Sequence, residues 1–325
     1  MLSELFQLLF CINSVYALYT ISQGYNETEA KYLLKLSAGA YGQPEDINAC
    51  LNSQPANGGI RTILDVNKEN CDALDNPCEG YIAVTDSEKL LHAVFRGTRT
   101  NSQLLLEGIA TTVPGEDFFG MGEVNKYFLR GHNLLWPDLE TILRDPRYSD
   151  YTIVFTGHSL GGALAALAAA RTAREGIRSS NRIKLVTFGE PRVGTRTFAM
   201  NFDNIVTNSY RVVYRKDIVP HSPGCTKDRS NPNLTDKDSL PCEPLDLNGP
   251  YHHGVEIWYP ESMTNNSFYI ECLGQPIHED FGCSNQFKYN IKYFSDYVYD
   301  HRHYFGVKVP EYGKTGCNNN FPEGY

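Results

Sequence analysis

The sequence predicts one domain of the α/β class, with a central, mostly parallel sheet flanked by helices. Runs of β-branched and aromatic residues alternate with helical stretches along the chain, as in βαβ units. Residues 151–156 form one such run, which leads through a G-x-S-x-G turn at residues 157–161 into an alanine-rich helical stretch. The 325 residues, 41% hydrophobic and 21% charged, suit one large domain.

The first half of the chain is predicted to contain a helix, a hairpin and a second helix. An apolar stripe that includes Ala30, Leu33 and Leu34 predicts a helix over residues 27–40. Residues 41–80 are rich in Asn, Gly and Cys, so we expect them to loop over the surface. The hairpin strands are predicted at 80–86 and 89–98, and the second helix at 122–143.

The second half continues the alternation after the strand at 151–156. A Pro-, Asn- and Asp-rich insertion is predicted between the last parallel strands. The predicted elements are a helix at 160–175, a strand at 183–188, a short helix at roughly 196–204, a strand at 210–214, the insertion at 222–250, and a final strand pair at 254–259 and 268–271.

Residues 5–17 form an apolar run that is too short to span a bilayer. Val15 and Ala17 stand at the −3 and −1 positions of a cleavage site, which is typical of a signal peptide. Glu4 stands where a positive charge is expected, so a buried N-terminal helix is the alternative. We expect a signal peptide over residues 1–17 and a single domain over residues 18–325.

The cysteines and sequons indicate an extracellular, secreted glycoprotein with disulfide bonds. Removal of Cys11 with the signal peptide leaves eight of the nine cysteines, and an even number fits an oxidising compartment. N-x-S/T sequons occur at Asn26, Asn233 and Asn265. The eight cysteines are Cys50, Cys71, Cys78, Cys225, Cys242, Cys272, Cys283 and Cys317.

Charge and spacing argue against several other classes of protein. The net charge is −9 and no basic run occurs, so nucleic acid is not an expected partner. The separation of Cys71 and Cys78 is unlike that of a zinc site, and we expect neither a metal nor a cofactor. No second apolar segment is long enough to span a membrane, and nothing indicates an oligomeric state.

Ser159 is the candidate nucleophile, because the G-x-S-x-G turn forces it into a strained backbone conformation above the sheet. Gly157 and Gly161 remove the Cβ atoms that would collide in this turn. The N-terminus of the following helix favours developing negative charge. The structural alternative is a turn of small residues that contains a serine by chance.

A serine nucleophile needs a histidine base and an acid that orients the histidine. In α/β-hydrolases the acid and then the histidine follow the serine along the chain. Asp217 comes just after the strand at 210–214, and His301 lies near the C-terminus. Asp228 and Asp300 compete with Asp217 as the acid, and His303 competes with His301 as the base.

Five stretches in this order resemble the fungal-type (class 3) lipases, which are secreted α/β-hydrolases that act on carboxylic esters. They are Phe95–Thr98, Gly157–Ala165, Val186–Gly194, Lys216–Pro220 and Asp300–Gly306. The resemblance extends from about residue 28 to residue 317. It therefore implies an α/β-hydrolase fold for nearly the whole mature chain.

The resemblance also implies roles for particular residues. Ser159, Asp217 and His301 would be nucleophile, acid and base, with Tyr304-Phe305-Gly306 selecting His301 over His303. The amides of Thr98 and Leu160 and the Thr98 hydroxyl would form the oxyanion hole. The family pattern suggests the disulfide pairs Cys50–Cys317, Cys71–Cys78, Cys225–Cys242 and Cys272–Cys283.

The function implied is hydrolysis of acylglycerol esters through an acyl-enzyme, on a lipid or ester substrate at a lipid–water interface. A phospholipase A1, or an esterase for smaller soluble or aromatic esters, would use the same triad. An inactive secreted binding protein on this scaffold is a remote alternative. Residues 99–112 lack the tryptophan often found in the family's lid, although Leu104–Leu106 and Ile109 could form its apolar face. A mobile lid there would indicate a lipase, and a fixed loop an esterase.

Overall fold

An eight-stranded sheet forms the centre of the protein. The structure is a computed structural model that describes residues 24–53, 61–70, 77–98, 115–230, 239–264 and 267–320. The strands lie in chain order across the sheet. They are β1 (Arg61–Asn70), β2 (Pro77–Thr85), β3 (Leu90–Phe95), β4 (Thr152–His158), β5 (Ile183–Phe188), β6 (Ser209–Tyr214), β7 (Val255–Tyr259) and β8 (Ile270–Cys272). Strands β3 to β7 run parallel, whereas β1, β2 and β8 pair antiparallel. The predicted α/β class and mostly parallel sheet are confirmed.

Helices cover both faces of this sheet. Within the described part of the chain they are α1 (Glu27–Gly39), α2 (Pro44–Leu51), α3 (Lys126–Leu143), α4 (Leu160–Arg174), α5 (Arg196–Ile205), α6 (Phe294–Arg302) and α7 (Val309–Gly313). Successive β4 side chains point to opposite faces. Ile153 and Phe155 therefore pack with α3, α4 and α5, whereas Val154 packs with α1 and α7.

Two small sheets lie beside the main one. The first consists of the two-residue strands Glu116–Asp117, Glu123–Val124, Gly194–Thr195 and Pro250–Tyr251. The second is a hairpin of His303–Tyr304 and Val307–Lys308, which follows α6 directly. The predicted insertion at 222–250 is largely irregular where it is described, and it includes the isolated bridge between Lys227 and Cys242.

The expectation that residues 41–80 only loop over the surface is wrong. This segment contains α2 and the ten-residue edge strand β1. The residues of β1 are mostly polar, so no hydrophobic pattern predicts a strand there. An edge strand with one solvated face does not need a continuous apolar run. Backbone pairing with β2 from Arg61 to Asn70 holds it in place.

Three of the suggested disulfides are present. Cys50–Cys317 joins α2 to the C-terminal segment, and Cys225–Cys242 bridges two parts of the insertion. Cys272–Cys283 joins the last residue of β8 to the segment that follows it. Cys71 lies outside the described residues, so its pairing with Cys78 stays a prediction.

Other predictions also concern residues that the structure does not describe. The signal peptide over residues 1–17, the sequons at Asn233 and Asn265, and the lid or loop at 99–112 lie outside the described residues. Asn26 is described, and its side chain accepts a hydrogen bond from the Glu29 amide at the start of α1. Among the helices that are described, none combines the length and the apolar character needed to cross a membrane.

Candidate active site

Ser159 lies in a sharp turn between β4 and α4. Its backbone has φ +61° and ψ −130°, a conformation that is strained for any residue with a side chain. A Cβ atom on Gly157 would overlap the Gly161 carbonyl, and one on Gly161 would overlap the Phe95 carbonyl. The two glycines of the motif are therefore required by close backbone contacts, as the sequence predicts.

The structure brings Ser159, His301 and Asp217 together in one hydrogen-bonded line. His301 Nε2 lies 2.8 Å from Ser159 Oγ, and His301 Nδ1 lies 3.0 and 2.9 Å from the two Asp217 carboxylate oxygens. The exposed fractions of the three residues are 2%, 2% and 0% in the same order. A histidine held between a hydroxyl and a carboxylate in this way is arranged to remove the hydroxyl proton.

Three further donors hold Asp217. The Tyr304 hydroxyl donates to Asp217 Oδ2 at 2.6 Å, the Val219 amide donates to Oδ1 at 2.9 Å, and the Tyr289 hydroxyl donates to the Asp217 carbonyl at 3.1 Å. Tyr304 appears in the sequence only as part of the motif that selects His301, and sequence reasoning missed Tyr289 altogether. The contacts to Oδ1 and Oδ2 hold the carboxylate beside His301 Nδ1, and the Tyr289 contact holds the Asp217 backbone.

His158 contacts both the ring and the backbone of His301. The two rings stack with centroids 4.8 Å apart, and His158 Nε2 lies 2.8 Å from the His301 carbonyl oxygen. The Tyr41 hydroxyl lies 2.8 Å from His158 Nδ1. Burial lowers the pKa of His158 to about 3, so its ring is neutral at ordinary pH. A neutral ring that donates from Nε2 to the carbonyl accepts the Tyr41 hydroxyl proton at Nδ1.

Thr98 lies just after the end of β3, and Leu160 follows the nucleophile directly. A Cβ atom on Gly97 would lie 3.1 Å from Ser159 Cβ, which places the end of β3 directly against the serine. The Thr98 hydroxyl oxygen is buried and has no hydrogen-bond partner among the described residues. Leu160 is the first residue of α4, where backbone amides are free of helical partners. An oxygen atom that develops negative charge beside Ser159 would satisfy both groups.

The alternative candidates for the acid and the base, which are Asp228, Asp300 and His303, make other contacts. The His303 ring stacks on Tyr299 with centroids 3.7 Å apart, and Asp228 accepts a hydrogen bond from the Ser230 amide. Asp300 is buried but contacts the Lys216 amide rather than a histidine ring. None of the three contacts Ser159 or His301 through its side chain in the described residues.

Glu190 has a buried partner that the sequence did not reveal. It follows β5, beside the turn residue Gly189, and its Oε1 lies 2.8 Å from His253 Nε2. The His253 ring stacks on Phe202 of α5 with centroids 3.8 Å apart. The only sequence indication was that a glutamate stands in this turn, and the partner comes from a segment 63 residues later.

One cluster of possible metal ligands occurs among the described residues, formed by Glu256, Cys272 and Cys283. The two sulfur atoms are bonded to each other as a disulfide. They therefore offer no thiolate to a metal ion.

Comparisons with known proteins identify several lipases that are similar to this chain. The family model "Lipase (class 3)" matches residues 92–227. A lipase from Caenorhabditis elegans is 48% identical over 312 residues, which are 95% of this chain and 88% of that protein. The crystal structure of a lipase from Rhizopus microsporus var. chinensis matches with a TM-score of 0.67 and 25% identity, covering 91% of this chain and 90% of that one. A solved triacylglycerol lipase, in which a serine protease triad forms the catalytic centre, matches with a TM-score of 0.63 and 26% identity over 87% of this chain and 95% of that one.

We predict that Tyr304→Phe lowers kcat for ester hydrolysis about 10- to 100-fold and leaves KM within about twofold. The substitution removes one donor to a buried carboxylate, and such a bond contributes about 1.5–3 kcal/mol. Steady-state kinetics on a soluble ester would measure the effect. Tyr312→Phe is the matched control, because the Tyr312 hydroxyl donates to Asn319 in the same core without touching the triad. Equal kcat values for the wild type and Tyr304→Phe would contradict the support of Asp217 by Tyr304.

Proposed function

The chain belongs to the class 3 lipase family and is an ester hydrolase, and from that premise we propose that it cleaves acylglycerol esters through an acyl-enzyme on Ser159. The observation that carries the proposal is the continuous hydrogen-bonded line from Ser159 Oγ through His301 to Asp217. The solved relative with a similar fold, a triacylglycerol lipase, supports the choice of substrate. The lipid surface on which such a substrate presents itself would be the partner.

In the acylation step, His301 Nε2 takes the proton of Ser159 while the serine oxygen attacks the ester carbonyl carbon. The carbonyl oxygen becomes negatively charged and is stabilised by the amides of Thr98 and Leu160 and by the Thr98 hydroxyl. The ester C–O bond then breaks, and His301 passes its proton to the leaving glycerol oxygen. Asp217 holds the imidazole in one tautomer and stabilises the imidazolium.

In the deacylation step, water replaces the alcohol. His301 takes a proton from the water, whose oxygen attacks the acyl carbon of the ester on Ser159. The second tetrahedral intermediate collapses, the bond between the acyl carbon and Ser159 Oγ breaks, and His301 returns the proton to Ser159. A carboxylic acid is released and the resting triad is restored.

Binding without catalysis is a weaker explanation of the same residues. A hydroxyl–imidazole distance of 2.8 Å in a buried site has no function in a scaffold that only binds. The same holds for the Thr98 hydroxyl, which has no hydrogen-bond partner among the described residues. A phospholipase A1 or a soluble esterase would need the same triad. Assays that vary the physical state and the head group of the substrate are therefore needed to distinguish these enzymes from a lipase.

We predict that Ser159→Ala abolishes hydrolysis of tributyrin while the protein still folds. The wild type and the variant would be assayed from below to above the solubility limit of tributyrin, with circular dichroism to check folding. A wild-type rate that rises sharply once droplets form identifies a lipase. A rate that saturates in solution indicates an esterase, and phospholipid cleavage that exceeds tributyrin cleavage indicates a phospholipase. Equal activity of the variant and the wild type would exclude the nucleophile assignment and favour a binding protein.

We predict that Thr98→Val lowers kcat about 10²- to 10³-fold, because it removes one preorganised donor from the oxyanion hole at nearly constant volume. Thr98→Ser is the matched variant and should retain most of the activity. Both would be measured on the same soluble ester, with thermal denaturation as the check on folding. If Thr98→Val kept the wild-type kcat, the hydroxyl would have no part in stabilising the intermediate.

We also propose that the protein is secreted after cleavage behind Ala17. The three disulfides support this, since such bonds persist in oxidising compartments. N-terminal sequencing of the protein from the medium of eukaryotic cells should begin at Leu18. Intracellular protein that retains the sequence of residues 1–17 would contradict the proposal.

A further inference from the structure

The turn that carries Asp217 is strained. The Asp217 amide donates to the Tyr214 carbonyl at 2.9 Å, which makes Tyr214 to Asp217 a four-residue β-turn at the end of β6. Arg215, the second residue of this turn, has φ +44°, whereas Lys216 has no positive φ. This combination is that of a type II′ turn, in which glycine is favoured at the second position. An arginine there costs backbone strain, so some contact must hold it.

The central peptide of a β-turn has an amide that the turn itself does not use. In this turn that amide belongs to Lys216, and it donates to Asp300 Oδ2 at 3.2 Å. Asp300 lies in the last turn of α6, is 5% exposed, and immediately precedes His301. Its other oxygen, Oδ1, lies 3.5 Å from the Arg215 guanidinium. One buried carboxylate therefore contacts both central residues of the turn.

We propose that Asp300 is a positioning residue that holds the Lys216 amide and so keeps Asp217 in place for His301. The inference rests on the proposed catalytic triad. It assigns Asp300 no contact with the substrate or the reacting atoms, since its effect passes through the turn.

Relaxation of the Arg215 backbone is the change that Asp300 opposes. A type II′ turn differs from a type I turn chiefly at the second residue, and the type I form would give Arg215 a negative φ. The change of φ and ψ at Arg215 would shift the turn relative to Asp300 and displace the backbone at Asp217. A displacement of about 1 Å in a catalytic group can cost about 10²-fold in rate.

The charged and titratable neighbours make this contact sensitive to pH. Burial raises the pKa of Asp300 to about 6, with Asp217 and Asp296 also raising it and Arg215 lowering it. Tyr214 and Tyr304 also interact with Asp300, and burial raises the pKa of both. Lys216 and His301 are further titratable residues beside it. An ionised carboxylate is the stronger acceptor, so the Lys216 contact is strongest above pH 6 and weakens as the pH falls through that value.

A double-mutant cycle tests the role of the strained residue. Asp300→Ala should lower kcat on a soluble ester about 10- to 100-fold with KM within about twofold. Arg215→Gly removes the strain, so the double variant Arg215→Gly/Asp300→Ala should recover at least about fivefold of that loss. Arg215→Ala/Asp300→Ala lacks the same guanidinium but keeps the strain, and it should show no recovery. Equal kcat values for the two double variants would overturn the proposal.

Two matched variants separate positioning from a general loss of structure. Asp300→Asn keeps an oxygen acceptor for the Lys216 amide and should stay within about threefold of wild-type kcat. Asp296→Asn removes an exposed carboxylate from the same helix and should leave kcat unchanged. A loss in Asp300→Asn as large as that in Asp300→Ala would overturn the role as an acceptor.

A spectroscopic measurement covers the case in which Asp300→Ala does not fold. In ¹⁵N-lysine-labelled protein, the amide resonance of Lys216 should titrate with a midpoint near pH 6 in the wild type and lose that transition in Asp300→Asn. If the Lys216 amide resonance titrated in the same way in the wild type and in Asp300→Asn, the inference would be overturned. Failure of the proposed function is distinguishable, because Ser159→Ala would then hydrolyse esters as fast as the wild type.

Discussion

Close backbone packing at the carboxyl edge of the parallel strands is the constraint on which the site depends. Gly157 pairs with Phe95 on one side and with Thr187 on the other, so β3, β4 and β5 end at the same level. A Cβ atom on Gly97 would lie 2.6 Å from the His158 carbonyl, and one on Gly189 would lie 2.7 Å from Asp217 Oδ2. Because these side chains are missing, residues from distant parts of the chain form direct hydrogen bonds there.

Burial in this close packing also keeps the His158 ring neutral. The His158 ring stacks on the His301 ring. A positive charge on His158 would therefore disfavour an imidazolium on His301. Burial prevents this, because it lowers the pKa of His158 to about 3. The Tyr41 hydroxyl and the His301 carbonyl then satisfy the two ring nitrogens without any ionised partner. The support behind the triad is therefore neutral, and Asp217 is the carboxylate in direct contact with His301 among the described residues.

The parts of the fold that the sequence predicts are those with a local cause. The alternation of β4 with α4 and the glycines of the turn follow from periodicity and sterics, and Asp217 follows from its place after β6. The edge strand β1 could not be predicted, because its pairing with β2 depends on tertiary structure and its residues are mostly polar. Tyr41 and Tyr289 could not be predicted as neighbours of the triad either. A buried tyrosine carries no local pattern, and its hydroxyl partner is set by packing between segments more than 70 residues apart.

The two buried carboxylates beside His301 show how environment assigns their roles. Asp217 accepts hydrogen bonds from the Tyr304 hydroxyl and the Val219 amide in addition to its contact with His301. Asp300 has one backbone amide and a guanidinium 3.5 Å away, and burial raises its pKa to about 6. A carboxylate that orients the histidine ring needs a fixed position beside Nδ1, and the Tyr304 and Val219 donors give Asp217 that position. Asp300 lacks those donors and lies against the turn instead, so its contribution to the reaction depends on the backbone that it holds.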